Sequence, residues 1–473
     1  MMRDKLITLR DELNAKFKER EDEIAGSLLA LISGEHVLFI GPPGTAKSML
    51  AKDMCSCIDE GTFFYYLLTR FTTPDEIFGP LSLSSLQSDI FSRKVEGYLP
   101  TAHVSFLDEI FKSNSSILNS LLTILNERKY HNGSAILDVP LITVFGASNE
   151  LPEENESLEA LYDRFLFRYF VEYVQDESNF VDIVTSNPEE FKPSVRLTID
   201  ELCCMKERSA DLPIDEEVIE ALVALRREFR NTGVIVSDRR WKKIAQVLRV
   251  ASYALERKSV DRTMLMLLQH MMWKRPEELP TLRKLLLDVA ISGGVDLERS
   301  EKDLRDLHAS TVLIKDYVLP QPVTCPMCER VFHKWKEMKE HASRNPDHYY
   351  VLPGSEEQYQ LSSVRTSPRH LPNLIDKFAS MGKPVKLTMP ADQKDLYLNE
   401  TDEFEETLKL LEKDLQAERA ALVKRLDENI WLSTKDREDM LYHYDAKTRS
   451  MSNMKRLLQE TRELIVSEEL QST

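Results

Sequence analysis

The densest chemistry in this sequence lies in the octet Gly41, Pro42, Pro43, Gly44, Thr45, Ala46, Lys47, Ser48. Glycines that turn backbone N–H groups inward, then a lysine and a hydroxyl, make a phosphate loop. Lys47 would reach the β- and γ-phosphates of a nucleotide and Ser48 would hold Mg2+, while Met49 continues into a helix whose N-terminus adds partial positive charge. Ala46 stands where glycine is usual, an exchange that costs little if its φ is negative. About sixty residues on, the apolar run Val104-Ser-Phe-Leu107 ends in Asp108 and Glu109. At the carboxyl edge of a parallel sheet, Asp108 would complete the Mg2+ shell through water and Glu109 would polarise the attacking water. A second apolar run, Leu141-Ile-Thr-Val-Phe145, leads to Asn149, a polar group placed to orient that water.

A different chemistry sits far downstream. Cys325-Pro-Met-Cys328 is followed after twelve residues by His341 and after six more by His348. Two thiolates from a turn and two imidazoles make a closed tetrahedral Zn2+ site, with Val323, Phe332 and Met338 as the apolar residues of a small ββα finger. The gap between the histidines is one residue over the usual limit, and Asn345-Pro346 explains it by ending the helix early. His333 is the fallback ligand. Lys334, Lys336 and Lys339 could face DNA, but Glu337 and Glu340 share their helix and one finger contributes a small interface, so protein recognition is favoured.

Apolar spacing predicts the elements that hold these groups. Leu6, Leu9, Leu13 and Phe17, then Ile24, Leu28, Leu29 and Ile32, give two helices stopped by Gly34. Short strands are expected over 37–40, 63–68, 104–107 and 141–145, with a further strand-like run over 169–174 and an amphipathic helix over 115–126. Asn132-Gly133 marks a hairpin. From about 195 to 290 the pattern is helical. A charged helix follows over 298–318, and near-heptad leucines from Phe404 to Leu426, a restart at Ser433 and a last helix towards Leu464 complete a three-helix stalk. Residues 352–400 read as a loop-rich extension.

The net charge of −17 argues against unspecific nucleic-acid binding over the whole surface. No stretch has the apolar length of a membrane span. The N-terminus shows no signal-peptide pattern, and the cysteine pairs Cys55/Cys57 and Cys203/Cys204 read as small core residues, so a reducing, cytoplasmic setting is expected.

Alternating strands and helices with acids, asparagine and arginines in this order resemble the AAA+ ATPases. Phe78-Gly-Pro80, Gly97-Tyr-Leu-Pro100, Phe106-Leu-Asp-Glu-Ile-Phe-Lys112, Ala147-Ser-Asn-Glu-Leu-Pro152 and Ser237-Asp-Arg-Arg-Trp-Lys-Lys243 resemble the RavA-type branch of the MoxR group. The resemblance covers roughly residues 20–250. It implies an α/β fold: an αβα module with a five-stranded parallel sheet, an all-helical lid, and two insertions near the pore of a homo-hexameric ring. It also implies Asn149 as sensor 1, and Arg164 as the arginine finger acting on a neighbour's nucleotide, with Arg168 as runner-up. Arg239 would be the lid arginine contacting nucleotide in its own subunit, with Arg240 as the alternative. The expected division is a core over 1–194, a lid over 195–297, a helical bundle split between 298–319 and 401–473, and a zinc-finger insertion over 320–400. The function implied is ATP hydrolysis that remodels a protein partner, with a von Willebrand A-domain protein as the family's usual companion. A nucleic-acid motor and a nucleotide-switched scaffold are the alternatives.

Overall fold

The computed structural model describes residues 2–466 except 88, 153–155, 187–189, 232–235, 292–294, 315, 361–376, 378–385 and 389–390. The chain forms two compact units, one of residues 1–294 with 420–444 and one of 295–419 with 445–473.

In the first unit, β1 (His36–Ile40), β2 (Phe63–Leu67), β3 (Val104–Asp108), β6 (Thr143–Ser148) and β7 (Phe165–Phe170) form a sheet in the order β2-β3-β6-β1-β7. Every pairing in it is parallel. A parallel sheet is covered on both faces, so its strands read as near-continuous apolar runs. That is why Val37–Ile40 is legible as a strand, and all four residues are buried. Helices α1 (Met2–Lys16), α2 (Glu21–Ser33), α3 (Lys47–Ser56) and α6 (Ser115–Glu127) accompany it, with the short α4 (Pro74–Phe78) and α5 (Leu83–Leu86) before β3, α7 (Glu156–Arg164) before β7 and α8 (Glu177–Thr185) after it. Asn114 caps α6 through the N–H groups of Ser116 and Ile117. Arg128 ends α6 in a left-handed conformation and bonds His36 Nε2 at 2.9 Å and Gly34 O at 2.8 Å. So α6 starts just beyond the last residue of β3 and ends beside the first residue of β1, spanning the sheet from one edge to the other.

The segment around Arg93, between β2 and β3, is joined to the hairpin that follows α6. The Asn132 amide, in the hairpin of β4 (Lys129–Asn132) and β5 (Ala135–Asp138), accepts from Arg93 N at 2.7 Å and donates to Arg93 O at 3.0 Å. The chain after β7 is helical, with α9 (Ile199–Ser209), α10 (Glu216–Asn231), α11 (Asp238–Ala254), a 3-10 segment (Arg262–His270) and α12 (Leu279–Ile291). Helix α9 buries Leu202, Met205 and Ser209. Cys203 and Cys204 lie off that stripe, one exposed and one half-buried, whereas Cys55 and Cys57 are buried as expected.

The chain from Asn429 to Ser433 also belongs to this unit, an attachment that its sequence does not announce. Trp431 is buried and donates its indole N–H to Ala251 O at 2.9 Å, and Asp436 accepts from Gln269 and Arg283.

In the second unit, α13 (Glu298–Ile314) packs with parts of α15 (Ala391–Asp427) and α16 (Thr434–Val466). His308 Nδ1 lies 2.9 Å from Thr461 Oγ1, Ser450 Oγ donates to Glu301, and Leu408, Leu415, Met454 and Leu458 are buried. The insertion forms the hairpin of β8 (Asp316–Cys325) and β9 (Arg330–Lys334), then α14 (Trp335–Arg344). Beyond the expected ββα pattern, β10 (Tyr350–Val351) adds to β8, and β11 (Gln358–Tyr359) adds to β10. Strand β12 (Lys386–Thr388) pairs with the start of β8. Much of the loop-rich extension expected over 352–400 lies outside the described residues.

Candidate nucleotide site

The phosphate loop joins β1 to α3 at the edge where the strands end. Gly41 N–H donates to Ser148 O at 3.1 Å, and a Cβ at Gly41 would stand 2.1 Å from Val171 O, so the first position must be glycine. Ala46 corrects an expectation. Its φ is +64°, not negative, and it leads into α3 in the left-handed region that L-residues enter at a cost of about 1–2 kcal/mol.

Lys47 folds back on the loop, its ammonium donating to Gly41 O (2.8 Å), Pro42 O (2.7 Å) and Thr45 Oγ1 (3.3 Å). Burial lowers its pKa, and the carboxylates of Asp108 and Glu109 push it back up. Asp108 is the last residue of β3. Burial raises its pKa, opposed by the Glu109 N–H that donates to its Oδ1 at 3.0 Å. Glu109 has φ +52°, which ends the strand and turns its carboxylate aside. Its Oε1 accepts from Asn149 Nδ2 at 2.7 Å and its Oε2 pairs with Lys112 at 3.3 Å. The structure thus brings Lys47, Asp108, Glu109 and Asn149 together at one edge, with Pro43, Gly44, Ser48 and Met49 exposed around the loop.

The sequence reading did not single out Arg20 and Glu23. With Phe17, Leu50 and Val171 they line a small cavity of about 10 Å³ against Thr45, Ala46 and Lys47. They also line a far larger adjoining cleft of about 1150 Å³ that reaches His270 and Arg283. Burial pushes the Glu23 carboxyl up to about 7, against the pull of the Arg20 guanidinium. Both residues sit at the acidic opening of α2, where the sequence carries only an ordinary helix-start signal.

The arginines separate into two kinds. Arg164 ends α7 (Glu156–Arg164) directly before Phe165, which pairs with His36 ahead of a register shift. It therefore lies at the edge where strands begin, roughly 15 Å of strand away from the phosphate-loop edge. Its Nε is buried without a hydrogen-bond partner among the described residues, and its guanidinium pairs with Asp163 at 3.8 Å. Arg168, the runner-up, is an interior residue of β7 because that strand begins at Phe165, earlier than the pattern over 169–174 implied. Only 3% exposed, it donates to Trp273 O (2.5 Å) and Tyr162 O (3.1 Å), and burial pushes its pKa down to about 9. A guanidinium so enclosed ties the Trp273 and Tyr162 carbonyls to β7.

The two arginines at the start of α11 differ in the same way. Arg239 donates to Asn126 Oδ1 at 2.5 Å, near the end of α6, and its charge lowers the pKa of Arg164 after the larger effect of burial. It stands with Arg164 at the edge opposite the phosphate loop. Arg240 is buried, donating to Met271 O (2.7 Å) and Leu166 O (2.9 Å) and pairing with Asp163.

In the insertion, Cys328 Sγ lies 3.2 Å from His341 Nε2 and Cys325 Sγ lies 3.3 Å from His348 Nδ1, with all four ligand atoms within 4.8 Å of one another. Val323, Phe332 and Met338 are buried behind them. His333 is exposed and outside the group. Two sulfurs and two imidazole nitrogens at this spacing fit a tetrahedral Zn2+.

Comparison with known proteins agrees with the α/β fold and its helical lid. A family model described as the MoxR domain in the MoxR-vWA-beta-propeller ternary systems matches residues 4–189, and a AAA lid domain model matches 217–286. Two uncharacterized proteins of Methanocaldococcus jannaschii are 45% identical over 286 residues and 44% identical over 271. These matches span 60% and 57% of this chain and 74% and 72% of theirs. A structural protein of Acidianus two-tailed virus is 32% identical over 193 residues, 38% of this chain and 31% of its own. Among solved structures, a candidate ATPase from Cytophaga hutchinsonii superimposes with a TM-score of 0.50 at 17% identity, covering 61% of this chain and 94% of that one. That likeness speaks for the fold.

Proposed function

The chain belongs to the MoxR group of AAA+ ATPases, and from that premise we propose that it assembles into a homo-hexameric ring that hydrolyses ATP between subunits to remodel a protein partner. The observation that carries this reading is the separation of two half-sites. Lys47, Asp108, Glu109 and Asn149 occupy one edge of the sheet, and Arg164 with Arg239 occupies the other. A head-to-tail contact between copies would bring one half against the other, and a heterologous contact whose rotation closes makes a ring.

In this reading residues 41–49 cradle the phosphates and Ser48 and Asp108 hold Mg2+. Glu109 is the general base, with Asn149 orienting it and the water. Arg164 is the finger in trans, because charge developing on the γ-phosphoryl oxygens is stabilised by a cation that arrives on assembly. Arg239 joins it on the neighbour's nucleotide. The division into core, lid, split helical bundle and zinc-finger insertion drawn from the sequence is part of the same proposal, with Zn2+ structural and held by Cys325, Cys328, His341 and His348. The partner class favoured is a von Willebrand A-domain protein, supported by the name of the matching MoxR domain. No described helix is long and apolar enough to cross a membrane.

The test is Glu109→Gln. Binding uses the phosphate loop while hydrolysis needs the carboxylate, so the variant should bind ATP as the parent does and turn it over at least about a hundredfold more slowly. Near-parental turnover would mean that another group is the base.

A further inference from the structure

The Cys/His cluster has a neighbour that the ligand spacing does not foretell. Tyr350 opens β10, two residues after His348, and is buried. Its hydroxyl lies 3.1 Å from His341 Nδ1 and 3.4 Å from Met338 O. A carbonyl can only accept, and a phenol has one proton. With that proton directed at Met338 O, the lone pairs of Tyr350 face Nδ1, so the imidazole proton sits on Nδ1 and the Nε2 lone pair faces Cys328 at 3.2 Å. That is the tautomer that can ligate a metal.

His348 presents the other nitrogen. Helix α14 stops at Arg344, Asn345-Pro346 breaks it, and His348 N–H donates to Asn345 O at 3.1 Å, closing a turn that aims Nδ1 at Cys325. The strand that follows is pinned by Val351 opposite Thr324, next to Cys325, and by Tyr350 opposite Tyr359. Tyr350, Leu352 and Tyr359 share one buried cluster with Val323, Cys325, Phe332 and Met338. The segment that supplies the fourth ligand therefore also supplies the group that orients the third.

Resting on the reading of this cluster as a zinc centre, we propose that residues 323–359 fold around one Zn2+ bound by Cys325, Cys328, His341 through Nε2 and His348 through Nδ1, with Tyr350 a positioning residue that holds His341 in its ligating tautomer. The metal then ties three pieces together: the β8–β9 hairpin, α14 and the β10–β11 hairpin. A freestanding ββα finger has no counterpart of the last.

The experiment uses the full chain purified without chelators. Metal analysis should give one zinc per chain, and exchange for Co2+ should give the visible bands of a tetrahedral site with two sulfur ligands. Tyr350→Phe keeps the ring in the core and removes only the hydroxyl. It should still bind one metal, with affinity in chelator competition about 10–100-fold weaker and with shifted Co2+ bands. Tyr359→Phe is the control, since that hydroxyl bonds Glu357 and touches no ligand, and it should retain the parental affinity. Absence of zinc from the parent protein overturns the metal centre itself. A zinc-bearing parent whose Tyr350→Phe variant matches it within twofold, or a Tyr359→Phe variant weakened equally, leaves the centre standing and overturns the role of Tyr350.

Discussion

Ala46 shows how much one backbone angle can matter. The octet was legible as a phosphate loop from its glycines, lysine and serine, but the conformation of the odd residue was not, because alanine is compatible in sequence with either sign of φ. At φ +64° the site resembles the glycine positions of Gly41 and Gly44 more than a helix residue. Ala46→Gly relieves the left-handed penalty but adds unfolded-state entropy, two effects of about 1 kcal/mol with opposite sign. It should shift the unfolding free energy by no more than about 1 kcal/mol. Ala46→Val puts a branched side chain in the same conformation and should cost about 2 kcal/mol or more. Denaturant unfolding of both variants checks this, and a Val variant as stable as the parent would contradict the positive φ. The same limit explains the arginines. Arg164, Arg168, Arg239 and Arg240 are equal as letters, and only burial separates the two enclosed ones from the pair at the sheet edge.

Elements were legible where their periodicity was strong. The strands at Val37 and Val104, the helix from Ser115 and the hairpin at Asn132-Gly133 follow from apolar runs and turn chemistry. Strand β7 was read late because Arg168 interrupts its apolar run, and the interruption is tolerated only because backbone carbonyls surround the guanidinium. Nothing in the sequence marked the opening of α2 as the wall of a cavity, since acids there are what any helix start prefers. Its Glu23 yields a pH test. Burial raises the folded-state pKa from 4.5 to about 7, so the native state holds that proton more tightly than the unfolded chain. The corresponding stability is present below about pH 4.5 and is lost as pH rises through 7, by at most about 3 kcal/mol. Between pH 5 and 8 the parent should therefore lose stability relative to Glu23→Gln, measured as the difference between their urea unfolding free energies. Parallel pH curves for the two proteins would show that Glu23 ionises normally.

For the molecule as a whole, the class of fold was legible in the sequence, but not which arginines stand together at the edge opposite the phosphate loop. That the lid arginine stands beside Arg164 follows from α6 crossing the sheet to deliver Asn126 to the far edge, a fact of topology and not of spacing. The attachment of Asn429–Ser433 to the first unit was likewise hidden, because a buried Ile-Trp-Leu between two heptad helices reads as a turn until its contacts are seen. Shared sites between subunits remain the central claim, and complementation tests it most directly. Arg164→Ala and Lys47→Ala should each abolish most hydrolysis alone, the first while keeping nucleotide affinity. In rings mixed at equal amounts with demonstrated subunit exchange, roughly a quarter of the interfaces pair an intact Arg164 with an intact neighbouring phosphate loop. Mixing the two inactive proteins should then restore ATP hydrolysis to a substantial fraction of the parental rate, whereas mixed rings as inactive as their components would contradict a trans role for Arg164.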